Sequence, residues 1–268
     1  MIGAFKIGVS AYRGGGGGTP PNPDFVSTWD TTKAGSASNT VVLPLLVAGT
    51  YSGTIDWGDA TTSALSYANR THVYATTGVK TITITGTISG WQFNNSGDRR
   101  KITDVSNWGT LDITTFSAFY GCSNLVISAL DAPTLTTTSL NQTFRSCTSL
   151  TTPDFNSWDF SSVTNMSNMF QLADSFNQDI SGWNVSNVTN MTYMFRNATS
   201  FNQDIGGWNV SSVTNMSLMF QSATSFNQDL STWDVSNIQV MESLFSFCPF
   251  NQDISSWDVS NVNDMQRM

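Results

Sequence analysis

Large apolar residues recur with a period of about 25 residues through the second half of the chain. Five tryptophans lie 25, 25, 25 and 24 residues apart, at Trp158, Trp183, Trp208, Trp233 and Trp257. A column of phenylalanines follows the same period, at Phe119, Phe144, Phe170, Phe195, Phe220 and Phe245. A period in the twenties is typical of a solenoid, in which each unit buries its apolar face against its neighbours. The pattern predicts about six stacked units between Ile102 and the end of the sequence.

Each predicted unit carries eight large apolar positions. In the unit that starts at Phe201 they are Phe201, Ile205, Trp208, Val210, Val213, Met216, Met219 and Phe220. Residues 204–210 predict a short parallel strand, paired with the next unit at about 4.8 Å. Residues 214–221 predict a short helix, because Val213, Met216 and Phe220 have the spacing i, i+3, i+7. Ser211, Ser212 or Thr214 would cap its N-terminus.

Residues 24–101 show the alternation of half-buried strands. In residues 80–85, threonine and isoleucine alternate from Thr81 onward, and residues 54–57 alternate up to Gly58. Short alternating runs that end at glycine turns predict a small β-sandwich. The predicted fold is therefore mainly β, with a sandwich at 24–101 followed by a solenoid of short strands and short helices at 102–268.

Residues 1–23 form a separate segment. Five glycines at 14–18 and a proline-rich stretch at 19–23 make a linker. Before them stand apolar residues, Ile2, Phe5, Ile7, Val9 and Tyr12. These residues predict either an anchor that docks into a partner protein or a disordered tail. The apolar run is broken by Lys6 and Gly8 and has no basic start, so it is a poor signal peptide; we expect release by lysis, or a signal removed from the chain.

The charge of the chain excludes several classes of partner. Only 11% of the 268 residues are charged and the net charge is −8. Nucleic-acid binding needs a cationic face, but the only cluster is Arg99-Arg100-Lys101. No apolar run approaches the ~20 residues of a membrane-spanning helix.

The sequence offers no catalytic constellation, so we predict no enzyme and no cofactor. His72 is the only histidine, and no set of Cys and His has the spacing of metal ligands. The three cysteines stand in one column of the repeat, where other units have alanine, at Cys122, Cys147, Ala173, Ala198, Ala223 and Cys248. We predict buried thiols, since free cysteine behaves as a small hydrophobe.

The first region resembles the PKD-type sandwich family. The resemblance rests on Asp56-Trp57-Gly58-Asp59, on Thr71-His72-Val73-Tyr74 and on Gly78, with Ala60 where the family usually has glycine. It implies an extracellular spacer or binding module in which His72 is structural. Asp56 and Asp59 would either cap turns, which we favour, or bind Ca²⁺, which prefers oxygen ligands.

The repeats resemble those of BspA-like leucine-rich-repeat surface proteins. The blocks FNQDISGWNVSNVTNM and FNQDIGGWNVSSVTNM, which begin at Phe176 and Phe201, carry the resemblance, as do the FxxCxxL segments at Phe119 and Phe144. Similar repeats occur in bacteriophage proteins. The resemblance implies a surface location and adhesion as the activity.

The outward polar positions of the repeat divide into constant and variable ones. The constant triplet Asn202-Gln203-Asp204 is either a repetitive ligand surface or a structural ladder that satisfies backbone groups, and we favour the ladder. Residues that differ between units are better ligand candidates, and Tyr193 and Arg196 stand out among them.

These observations predict a non-enzymatic adhesion or receptor-binding module. The favoured setting is a bacteriophage virion surface, with residues 1–23 anchored in a virion protein and a host protein or glycan as ligand. The alternatives are a bacterial cell-surface adhesin and a purely architectural virion protein. Because the phenylalanine column would next fall at position 269, we also expect self-association through the last unit.

Overall fold

The computed structural model describes residues 23–151 and 155–268. Within these residues it contains nine strands and no helix, so the mainly β prediction is confirmed. The strands are β1 (Phe25–Asp30), β2 (Thr40–Val42), β3 (Tyr51–Asp56), β4 (Thr62–Ala64), β5 (Thr71–Val73), β6 (Val79–Ser89), β7 (Ile102–Asn107), β8 (Leu111–Asp112) and β9 (Val126–Ile127).

One seven-stranded sheet and one two-stranded sheet organise the first part of the molecule. The larger has the order β4-β3-β6-β1-β7-β9, with β8 paired to β6, and the smaller is β2-β5. The alternation of β1 buries Phe25, Ser27 and Trp29 completely. Because successive side chains of a strand point to opposite faces, the aromatic residues of β1 enter the core beside Trp91 and Trp108.

The large sheet continues across residues 101 and 102, where the sequence predicts a domain boundary. β7 pairs with β1 in antiparallel fashion and with β9 in parallel fashion. β8 pairs in parallel with the end of β6. Parallel pairing thus begins at the edge of an antiparallel sheet, and the first repeats build directly on that edge.

A buried ion pair joins the loop after β1 to the segment before β7. Asp98 and Lys101 are both buried and lie 3.6 Å apart. The Lys101 Nζ donates to the carbonyls of Ser36, Ala37 and Thr40. Asp98 accepts hydrogen bonds from the backbone N–H groups of Ser36 and Val42. Both charges therefore have the additional partners that a buried pair requires.

The repeat units stack in register. Parallel bridges join equivalent residues of successive units, linking Ser139, Asn165, Asn190, Asn215, Val240 and Asp264. The rings of Phe170, Phe195 and Phe220 lie in file, with centroids 5.7 and 5.8 Å apart and planes within 9° of parallel. The tryptophan column is buried from Trp158 to Trp257, and Trp183 stacks on Trp208 at 6.0 Å.

The predicted helix at residues 214–221 is wrong. Alternate backbone N–H groups point to the next unit instead of along the segment: Met216 donates to Val240, Leu218 to Glu242 and Phe220 to Leu244. Leu218 has a φ of 56°, which a right-handed helix does not allow. Both features follow from stacking, because each unit satisfies half of its donors through its neighbour.

The predicted strand at residues 204–210 is also wrong, because the structure has no strand there. Parallel pairing falls instead at Asn215 and its equivalents. In the 204–210 segment side chains join the units; the Trp208 Nε1, for example, donates to the carbonyl of Ile180 in the preceding unit.

A repeat unit that the sequence analysis missed precedes Ile102. Phe93, Asn94 and Asn95 donate backbone hydrogen bonds to the unit of Phe119, as that unit does to the next. Trp91 packs against Phe119 at 6.2 Å. Its polar columns do not match the later consensus, so periodicity alone could not reveal it.

Candidate functional site: the variable strip of the repeat stack

The constant polar triplet of the repeats serves the fold. The Oδ1 of Asn177 accepts the backbone N–H of Asn202, and the Oδ1 of Asn202 accepts that of Asn227. The Gln203 and Gln228 amides donate to the carbonyl of the asparagine in the unit before. The triplet therefore forms a structural ladder, in which the asparagine and glutamine side chains make hydrogen bonds between successive units.

The constant aspartates close tight turns. Asp179 and Asp229 each accept the backbone N–H two residues later, at 2.9 and 2.8 Å. These bonds lower the pKa of both carboxyl groups, since a hydrogen bond to the charged form favours it. Asp234 and Asp258 do the same in the turn after the tryptophan, where the earlier units have Asn184 and Asn209.

The tryptophans are committed as well. The indole Nε1 groups of Trp183, Trp208 and Trp233 donate to carbonyls of the preceding unit at 3.0–3.1 Å. Each ring therefore fixes the register of two units while it fills the core.

Four columns that differ from unit to unit lie together around the closing phenylalanine. They mix buried residues, such as Ser217, with partly exposed ones, such as Tyr193. We call them the variable strip. They lie three and two residues before the phenylalanine and one and two residues after it. In the unit of Phe195 these are Thr192, Tyr193, Arg196 and Asn197, and in the unit of Phe220 they are Ser217, Leu218, Gln221 and Ser222.

Two columns of the strip have a left-handed backbone. The second residue before the phenylalanine has a φ of 62° at Tyr193 and 56° at Leu218. The second residue after it has a φ of 61° at Leu172 and 58° at Phe247. Asn168 and Asn197 occupy the same columns in other units and tolerate this conformation better. Bulky residues cost ~1–2 kcal/mol there, and the same two columns are left-handed in unit after unit, so the stacking sets this conformation.

The predicted ligand residues Tyr193 and Arg196 meet on the strip. The Arg196 guanidinium lies 5.4 Å from the centre of the Tyr193 ring, and its Nε donates to Gln221 Oε1 at 2.6 Å. Both side chains are half-buried. A second pair of this kind, Arg145 over Tyr120 at 5.0 Å, lies two units earlier, and the sequence analysis did not find it. The sequence could have revealed this pair, because Arg145 and Arg196 occupy the same position of the repeat, directly after the closing phenylalanine.

Unsatisfied polar groups concentrate at the strip. Seven buried side-chain atoms of the described residues have no hydrogen-bond partner, and four belong to the strip or its edge: Thr143 Oγ1, Arg145 Nε, Gln171 Oε1 and Ser217 Oγ. Native proteins leave few such groups, and none of the seven atoms belongs to the columns of the Asn-Gln-Asp triplet.

The residues singled out near β3 and β5 form a structural cluster. The His72 Nε2 lies 2.8 Å from Asp59 Oδ2, and its ring stacks on Trp57 at 4.8 Å. Asp56 and Asp59 accept the N–H groups of Gly58 and Thr61, which is the turn-capping role. The threonine and histidine hydrogen bonds lower the pKa of Asp59. Ala60 has a φ of 68°, the conformation that glycine would adopt more easily.

The cysteine column is buried at Cys122 and Cys147, and Cys248 is half-buried; all three thiols are free. Burial raises the pKa of each thiol, so none is a ready nucleophile. The predicted anchor residues Ile2, Phe5, Ile7, Val9 and Tyr12 lie outside the described residues.

The described ranges contain neither a candidate membrane-spanning helix nor a candidate metal-binding cluster. Residues 23–151 and 155–268 have no helix with the length and hydropathy needed to cross a membrane. Nowhere in these ranges do three His, Cys, Asp or Glu side chains converge in a way that would hold a metal ion.

Comparison with known proteins places the repeats in a family. No curated protein matches the chain, and no solved structure does. One family profile matches three overlapping segments, residues 89–206, 138–249 and 208–268. The first segment starts before Ile102, in agreement with the additional unit found at Phe93. Because the matched segments cover more than half of the sequence, the chain belongs to the family described as Mycoplasma protein of unknown function, DUF285.

Proposed function

We propose that this protein is a non-enzymatic recognition module, exposed on a surface, which binds its ligand through the variable strip. The proposal rests on the difference between the constant polar columns of the repeats and the variable strip. The polar groups of the constant columns form hydrogen bonds between units or within turns. The strip instead combines variable side chains, aromatic and arginine residues and a left-handed backbone. Aromatic residues and arginine are enriched where proteins bind partners.

The remaining parts have supporting roles in this proposal. The PKD-like sheet region is a spacer, the repeats are a BspA-like adhesive array, and residues 1–23 attach the module to a carrier. Self-association through the last unit would multiply the strip. The family description names Mycoplasma proteins, which favours a cell surface over the virion surface as the setting. Proteomics of purified virions and antibody labelling of intact cells would separate the two settings.

Binding measured with strip and off-strip variants tests the proposal. The full chain is applied to an array of glycans and extracellular proteins, beside Tyr193→Ala/Leu218→Ala and the off-strip control Ser211→Ala/Ser236→Ala. We expect the strip variant to lose at least about tenfold in affinity for its ligand, since one aromatic anchor contributes more than 1.4 kcal/mol at a binding hot spot. The control should keep its affinity. Absence of any ligand, or equal losses in both variants, would favour a purely architectural protein.

A further inference from the structure

The repeat region is strongly acidic except along the strip. Residues 102–268 contain fourteen Asp and Glu residues but three cations, all arginine: Arg145, Arg196 and Arg267. All three stand in strip columns. Arg267 follows the bridge residue Asp264 by three positions, as Tyr193 follows Asn190, and both have a left-handed backbone.

The acidic groups stand elsewhere on the stack. The turn aspartates, such as Asp179, Asp229 and Asp258, belong to the constant columns, and Glu242 is the one acidic residue in a strip column. This segregation directs an anionic ligand to the strip and away from the rest of the surface, because like charges repel it there.

We propose that the strip binds a linear, carboxylate-bearing polysaccharide, an inference that rests on the recognition function proposed above. Arginine is suited to carboxylates because its planar guanidinium can donate two parallel hydrogen bonds. Arg145 and Arg196 lie two units apart along steps of 5.8 and 5.7 Å, so an extended polymer that runs along the stack reaches both.

The partly exposed side chains beside the arginines fit a sugar polymer. Gln142 and Asn197 are half-buried and offer amides, which both donate to and accept from hydroxyl groups, whereas Gln171 in the unit between the arginines is buried. Tyr120 and Tyr193 add aromatic rings beside the guanidinium groups, and such rings can pack against the C–H face of a sugar.

An acidic peptide fits less well. Extended peptides usually bind by adding a strand to an exposed backbone edge. On the strip that edge is already used: the five backbone N–H groups of residues 193–197 all donate within the stack, to the carbonyls of Ser217, Met191, Met219, Tyr193 and Gln221. A peptide would gain side-chain contacts but no backbone pairing.

Titration with three polymers tests the inference. Full-length protein is titrated with hyaluronan oligosaccharides, with dextran of similar length as the neutral glycan, and with poly-glutamate as the acidic peptide. The variants are Arg145→Gln and Arg196→Gln, and Lys33→Gln in the sheet region is the control with the same change in charge.

We expect hyaluronan to bind, dextran to bind at least tenfold more weakly, and poly-glutamate to bind more weakly than hyaluronan. Each arginine variant should lose about tenfold in affinity, the value of one hydrogen bond to a charged group, and Lys33→Gln should lose none. Binding should weaken as salt is raised, because these charges are solvent-accessible.

The other outcomes overturn the inference in distinguishable ways. Equal binding of dextran with no loss in the arginine variants would contradict the acidic ligand while leaving recognition through the strip in place. Tighter binding of poly-glutamate would make the ligand an acidic protein segment. If no polymer binds, the inference fails, and the array experiment decides separately whether the strip binds anything else.

Discussion

The sheet region and the repeat stack both bury rows of aromatic rings, but they satisfy their backbones differently. In the sheet, β1, β3 and β6 exchange antiparallel hydrogen bonds over six residues at each pairing. In the stack, alternate backbone N–H groups near the closing phenylalanine bond to the next unit, and asparagine and tryptophan side chains add further bonds between units. A sheet leaves its outward side chains free to vary. In the stack the constant polar columns bond between units or close turns. Exposed residues such as Thr232 and Gln239 also lie outside the variable strip, but the strip is where we propose recognition.

The largest effect should come from removing one ring of the central file. Phe195→Ala leaves a cavity between Phe170 and Phe220, which stack on it at 5.7 and 5.8 Å. We expect a loss of about 4 kcal/mol in the free energy of unfolding, measured by urea denaturation. Phe245→Ala is the control, since that ring is only partly buried and should cost about half as much. Phe245 stacks on Phe220 alone in this column, so equal losses would show that the second stacked neighbour and the deeper burial of Phe195 add nothing.

The buried ion pair should matter next. Lys101→Met leaves the Asp98 carboxylate buried without its cation, and we expect a loss of about 3 kcal/mol in the free energy of unfolding. The double variant Asp98→Asn/Lys101→Met should recover part of it, because no charge remains to be compensated. Lys33→Met, at a half-exposed lysine, should stay within about 0.5 kcal/mol. If Lys101→Met left the free energy of unfolding unchanged, the buried pair would not be the link between the loop after β1 and the segment before β7.

The asparagine ladder should contribute less for each residue. Asn202→Ala removes the acceptor of the Asn227 N–H and of the Gln228 amide. The Asn227 N–H is then unpaired, while the Gln228 amide keeps only its bond to the Asn202 carbonyl, and the change should cost about 2 kcal/mol of unfolding free energy. The control Thr224→Ala removes an exposed hydroxyl with one long bond of 3.4 Å and should change stability by less than about 0.5 kcal/mol. Thermal and urea unfolding measure both variants.

The smallest expected effect is on the loss of stability at low pH. The hydroxyl and the N–H of Ser236 lower the pKa of Asp234, and Ser260 does the same to Asp258. A lowered pKa in the folded state gives stability that is present above the unfolded value of about 3.9 and is lost as the pH falls through the folded pKa.

The matched variant carries the amide that other units already use. Asp234→Asn/Asp258→Asn places asparagine where Asn184 and Asn209 make the same turn. The decrease in melting temperature between pH 5 and pH 2 should be smaller in this variant than in the unmodified protein. An unchanged decrease would mean that these turns do not contribute to acid sensitivity.

Much of the fold could be predicted from the sequence because identical units need identical neighbours. The columns of Trp208 and Phe220 follow directly from the period, as does the small buried position of Cys147. The backbone of the unit could not be predicted in the same way. The spacing of Val213, Met216 and Phe220 fits a helix. The same spacing also fits a curved, non-helical segment in which alternate backbone N–H groups bond to the next unit. Periodicity within one unit does not distinguish bonds along the chain from bonds between units.

The candidate site was only partly accessible to sequence analysis. Variation between units singled out Tyr193 and Arg196, and the structure brings them together. The sequence could not show that Tyr193 has a left-handed backbone, because its φ depends on how the units stack. Arg145 and Tyr120 were missed, since the two units that hold them lack the FNQD block that aligns the later repeats. The unit at Phe93 was missed for the same reason.

Cross-linking of adjacent units tests the central claim, the stacking of like residue on like residue, most directly. Thr189 and Thr214 are exposed equivalents in adjacent units, joined by a backbone hydrogen bond of 2.9 Å. In a Cys248→Ala background, Thr189→Cys/Thr214→Cys should form an intramolecular disulfide on mild oxidation, because equivalent residues lie within the Cα separation of a disulfide, about 4.4–6.8 Å. The control Thr189→Cys/Thr224→Cys joins exposed threonines from different columns and should stay reduced. Mass spectrometry of the oxidised proteins gives the answer: a disulfide in the first pair alone is the predicted result, and a disulfide in the control alone, or in neither pair, would contradict it.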